Sequence, residues 1–166
     1  MLQQNRVSLV PIDTLSDAIK RSPRWCRHEI SKAGGRAGEH LPSCTIREAV
    51  KVALLVQNTE EGAKFRLARP TRITAASAAA CQVKTMEHFY HDAALYALGL
   101  IADTDILTRS VPGPPARGTQ VLCRRFHNNT YIALQLVAQV CNTTPSAVLD
   151  WAVHHYIAKT TGAIHA

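Results

Sequence analysis

The chain has 166 residues, 46% hydrophobic and 5% aromatic, with 19 Lys and Arg against 12 Asp and Glu. That hydrophobic share supports a packed core and argues against wholesale disorder, and the low aromatic content predicts a core built from Ala, Val, Leu and Ile. The formal charge of +7 favours an anionic partner such as nucleic acid or an acidic membrane surface.

Five cysteines (Cys26, Cys44, Cys81, Cys123 and Cys141) are an odd number with no CxxC pair, so a reducing compartment fits better than a disulfide scaffold. Cys81 and Cys141 lie in apolar helical surroundings, where a small buried thiol is expected. No charged start followed by an apolar stretch opens the chain, and no apolar run approaches the ~18 residues of a membrane span. A soluble, cytoplasmic protein with no membrane partner is expected.

Residues 1–61 form an extension, partly helical or flexible. Pro11, Pro23, Pro42 and the Gly34, Gly35 and Gly38 cluster interrupt it. A short helix is expected over Ile12–Arg21, begun by Asp13 or Thr14. A better one spans Thr45–Gln57, with Ile46, Ala49, Val50, Ala53 and Leu54 at helical spacing and Ser43 or Thr45 as cap. Ala33–Ser43 reads as a flexible connection, and the whole segment as an arm for a partner. Cys26, His28, His40 and Cys44 are good zinc ligand types, but their spacing matches no common finger, so no metal or other cofactor is expected.

Residues 62–98 form a first strand–helix–helix unit. Ala63–Arg69 alternates, with Phe65 and Leu67 on one face and Lys64, Arg66 and Ala68 on the other, and Pro70 closes the strand. An Ala-rich helix over Thr71–Cys81 follows, then a second with Met86, Phe89, Tyr90, Ala93 and Tyr96 on its core face. Residues 99–117 form a linker around Pro112-Gly113-Pro114-Pro115, which neither a helix nor a central strand can absorb.

Residues 118–166 form a second unit of the same kind. Thr119–Phe126 is strand-like, and His127-Asn128-Asn129-Thr130 supplies turn and cap chemistry. Tyr131, Leu134, Ala138 and Cys141 mark one helix face. Thr144-Pro145-Ser146 starts the last helix, because proline at a first turn lacks only an N–H that would go unpaired. Aligning Cys81 with Cys141 places Met86 over Ser146 but Arg66 over Phe126, so the strand of the first unit is expected to shift by one residue. Neither unit buries enough surface alone. Pairing their strands as an antiparallel ribbon over four helices solves that problem.

In this respect the chain resembles the ribbon-helix-helix (MetJ/Arc) DNA-binding family. Phe126, Ala138 and Ser146 match the strand-ending apolar residue, first-helix alanine and second-helix serine that recur there. Its tandem layout is similar to TraY-type accessory proteins of conjugative plasmids and to border-enhancer-binding accessory proteins of the Agrobacterium T-DNA system. The resemblance implies a mainly α fold with one short two-stranded antiparallel ribbon, a single-chain pseudo-dimer carrying an N-terminal helical extension. It implies double-stranded DNA as partner, bound by a monomer that associates further on DNA, and other DNA-transfer or regulatory proteins as partners of residues 1–61.

A ribbon of this kind enters the major groove. Lys64 and Arg66 would face outward from the first strand. Family spacing turns Val121, Cys123 and Arg125 outward from the second and Arg124 inward, so a bulge exposing both arginines is expected. Arg69, Arg72, Lys84, Thr85 and Ser146 complete the expected DNA-binding set, the last two at second-helix N-termini that can hold phosphates. Differing copies imply an asymmetric site. The alternative is an antitoxin-like interaction module that does not bind DNA. No phosphate loop, GxSxG, HExxH or paired carboxylates support an enzyme.

Overall fold

A computed structural model describes residues 9–34, 42–56, 60–104 and 119–160, excepting the side chains of 33–34, 60–63, 102–104 and 119–125. The expected linker core, His40, the Gly35 and Gly38 positions and the side chains of Cys123, Arg124 and Arg125 lie outside the described residues. The described chain is mainly helical, with seven helices and two two-stranded antiparallel sheets. No single described helix is long and apolar enough to cross a membrane.

The N-terminal part contains β1 (Leu9–Pro11), α1 (Ile12–Ile19), α2 (Pro23–Gly34), β2 (Ser43–Thr45) and α3 (Ile46–Leu55). Sequence reasoning missed β1, β2 and α2. Pro23 does not interrupt structure; it opens α2, where the Ser22 hydroxyl accepts from Trp25 N at 3.1 Å. Helix α3 is held by a reciprocal capping box in which Thr45 Oγ1 accepts from Glu48 N and Glu48 Oε1 accepts from Thr45 N. β1 and β2 pair about Val10 and Cys44, which are both buried.

These elements are not a loose arm. Val10, Ile12, Leu15, Cys26, Ile30, Cys44 and Ile46 join one core with Phe65, Phe89 and Phe126. Helix α3 packs along α5 and α6, and Asn129 Nδ2 donates to the Leu54 and Val56 carbonyls at 3.2 and 3.4 Å. The amide thereby satisfies carbonyls at the end of α3 that have no partner within the helix.

The rest comprises β3 (Glu60–Ala68), α4 (Arg69–Cys81), α5 (Met86–Thr104), β4 (Thr119–His127), α6 (Asn128–Val140) and α7 (Pro145–Thr160). Strand, first helix and second helix each begin 59 positions later in the second unit. Leu67 therefore corresponds to Phe126 and Ala79 to Ala138, all buried. Alignment on the cysteines is wrong by one residue, and the expected strand shift is unnecessary. The first unit also extends further than expected, because α5 continues through Gly99, where a linker was anticipated, to Thr104. Pro70 belongs to the first turn of α4 and does not close the strand.

Hydrogen bonds repeat at the same interval. Lys84 N donates to Ala79 O at 2.9 Å, and Thr143 N to Ala138 O at 2.9 Å. Thr85 Oγ1 accepts from His88 N and Thr144 Oγ1 from Ala147 N, both at 3.2 Å, so threonines cap both second helices. Cys81 is exposed and Cys141 half-buried, against the expectation of buried thiols; among the described residues the buried ones are Cys26 and Cys44. Cys26 lies in the core and His28 is exposed, so these neighbours do not face one site.

Candidate nucleic-acid interface

β3 and β4 pair one-for-one from Glu60↔His127 to Ala68↔Thr119, with Lys64 opposite Cys123 at the centre. The ladder is unbroken, so the expected bulge is absent. Partners directly across an antiparallel pair share a face. One face of the ribbon thus holds Phe65, Leu67 and Phe126, all buried. The Phe65 and Phe126 rings meet edge to face at 5.3 Å, and Phe65 meets Tyr131 at 5.7 Å. These rings anchor the ribbon to the helices beneath.

The opposite face carries Lys64 and Arg66, both exposed. Backbone parity places position 125 with them and position 124 with Phe126.

Two threonines tie each first helix to the other unit's second helix. Buried Thr71 donates Oγ1–H to Asp150 Oδ2 at 2.8 Å, and His154 Nε2 lies 3.2 Å from the same hydroxyl. Its counterpart Thr130, also buried, places Oγ1 3.3 Å from His91 Nε2. His91 and Asp150 are themselves equivalent positions, so one crossed contact occurs twice with different chemistry. The His91 ring also lies 3.9 Å from that of His127 and 5.5 Å from Phe126, beneath the end of the ribbon.

The remaining expected DNA contacts divide. Arg69 is exposed at the first position of α4. Arg72 is half-buried, with its Nε inside the protein. Lys84 is engaged internally: Nζ lies 2.6 Å from Asp92 Oδ2 and donates to Tyr156 Oη at 2.8 Å. Its hydrogen bonds to Asp92 and Tyr156 raise its pKa, favouring the charged form within a clamp.

Thr85 is exposed and caps α5, although Glu87 in that helix's first turn opposes an anion there. Ser146 is not the cap of α7, which is Thr144. Its Oγ accepts from Arg66 N at 2.8 Å, fastening the middle of β3 to the start of α7. Sequence reasoning placed Ser146 at phosphate and missed this role. The interval of 80 residues between the partners gives no local signal of it.

Among the described residues, no group of three or more His, Cys, Asp or Glu side chains is placed to hold a metal ion. Comparison of the chain with family models, curated proteins and solved structures gives no match.

Proposed function

We propose that the chain binds double-stranded DNA as a single-chain ribbon-helix-helix pseudo-dimer, with the β3–β4 ribbon in the major groove. The observation that carries this reading is the division of the ribbon's faces. Phe65, Leu67 and Phe126 are sealed against the helices, whereas Lys64 and Arg66 stand exposed on an unbulged pair of strands. A two-stranded ribbon fits the major groove, where side chains from one face reach base edges. Arg66 and position 125 are the proposed base readers. Lys64 and Arg69 supply charge toward the backbone.

The two reading strands differ, so the preferred site is asymmetric. The resemblance to DNA-transfer accessory proteins supports a role on a plasmid or other mobile element, as a transfer accessory factor or a repressor.

The test is a mobility-shift titration with duplex DNA flanking the gene, repeated over a salt series. Affinity should fall steeply with salt. Arg66→Ala should remove about 1–3 kcal/mol of preference for the specific sequence while leaving the circular dichroism unchanged. Failure to bind any duplex at low salt sinks the proposal and favours the protein-interaction reading.

A further inference from the structure

Residues 20–32 hold five Lys or Arg and one Glu, a net +4 in a chain of +7. They run from the end of α1 through the Ser22 turn into α2. Cys26 and Ile30, one turn apart, are the buried stripe by which α2 joins the core. Arg21, Arg24, His28 and Lys32 are exposed around it. Lys20 is the C-cap of α1 and Lys32 lies in the last turn of α2, where positive charge complements the helix dipole, and Lys32 also lies 3.6 Å from Glu29. Those local reasons do not cover Arg21 and Arg24. They flank the start of α2, where no acid is present in the first turn and the dipole disfavours cations. The Arg21 guanidinium lies 5.7 Å over the Trp25 ring, which orders it at the surface. Asp13 and Asp17 are also exposed but belong to α1, before this run.

The part of the chain carrying this basic face is attached to one side of the repeat. α3 covers α6, where Ile132 is 9% exposed, while the equivalent Ile73 on α4 is 56% exposed. The end of α3 meets Asn129 at the start of α6, directly after β4, and α2 packs on α1 and α3. We infer that the basic face of α2 is a second contact to DNA, made by Arg21, Arg24 and Lys32 with phosphates beyond one end of the ribbon's site, on the α6 flank. This inference rests on the DNA-binding reading above. The contact positions the protein without reading bases, and it lengthens the protected DNA on one flank alone.

The experiment compares the full chain, the Arg21→Gln/Arg24→Gln/Lys32→Gln variant and Arg66→Ala on a long duplex and on duplexes trimmed from either flank. The triple variant should make the dependence of log K on log salt shallower by about 2–3, at roughly 0.9 per phosphate contact. It should lose footprint protection on one flank and retain its preference for the specific sequence. Trimming that flank should reproduce the loss in the unaltered chain, whereas Arg66→Ala should lose the preference and keep the extended footprint. An unchanged salt slope, or a loss equal on both flanks, overturns this inference and leaves the ribbon reading standing. Absence of binding by the unaltered chain to any duplex overturns both.

Discussion

Val83 and Asn142, 59 positions apart, both adopt the left-handed conformation, with φ of 54° and 53°. Each follows the first helix of its unit and lets the chain turn back toward the second; α7 leaves α6 at a bend of 104°. Asparagine tolerates this conformation, whereas a β-branched residue clashes with its own backbone there. Val83 is 92% exposed and contributes little packing in return. Val83→Asn should therefore stabilise the protein by roughly 1 kcal/mol, and Asn142→Val should destabilise it by a similar amount. Urea unfolding followed by circular dichroism checks both. A destabilising Val83→Asn would contradict the conformational argument.

Phe126 is buried near the end of β4, 5.3 Å from Phe65 and 5.5 Å from His91. Phe126→Ala should cost about 3–5 kcal/mol, the usual penalty for emptying a buried aromatic site. Phe126→Leu should cost much less, because leucine is the equivalent residue at position 67. Equal effects of the two variants in denaturant unfolding would show that the site is not tightly packed.

Ser146→Ala removes the acceptor for Arg66 N. A loss of about 1 kcal/mol in stability is expected, typical of one such bond. The distinguishing readout is amide hydrogen exchange, which should accelerate at Arg66 more than at its neighbours in β3. Unchanged protection at Arg66 would show that this hydroxyl does not hold the strand. DNA affinity should weaken as well, because the reading side chain is mounted on the loosened segment.

The His155 ring lies 4.3 Å from that of Trp151, tilted at 41°, and burial, followed by repulsion from His154, lowers its pKa below the ordinary 6.5. The folded state thus resists protonation that the unfolded chain accepts. Stability should be full above pH 6.5 and decline as the pH falls through that value toward the depressed folded pKa. His155→Phe should flatten part of this decline relative to the unaltered chain. Parallel curves between pH 5 and 8 would exclude His155 as a contributor.

The paired units were legible because their helices are amphipathic and their start signals local. The Thr144-Pro145 start and the Phe65/Leu67 alternation both appear in the fold as read. Their register was misread because Cys81 and Cys141 look alike, although the backbone matches Cys81 with Val140 and Gln82 with Cys141. Chemical likeness at one position outweighed the turn geometry that fixes the interval. Helix α2 begins with Ser22-Pro23, a start signal like Thr144-Pro145, but it runs straight into the Gly34-Gly35 pair, whose composition resembles an interrupted segment. Strands of three residues, as in β1 and β2, are too short to show a period. The Ser146–Arg66 and Thr71–Asp150 contacts bridge some 80 positions, and only the folded chain brings them together.

The regular pairing of β3 with β4 also fixes how the ribbon responds to dilution. A ribbon shared by two chains comes apart as its concentration falls, since its folding includes an association step. Here both strands belong to one molecule, and the connecting chain holds each near the other at an effective concentration on the order of millimolar. The unfolding midpoint should consequently be the same at nanomolar and micromolar protein. Each substitution also enters the ribbon once and never in duplicate, which lets a β3 holding Glu60, Glu61, Lys64 and Arg66 coexist with a β4 of different sequence.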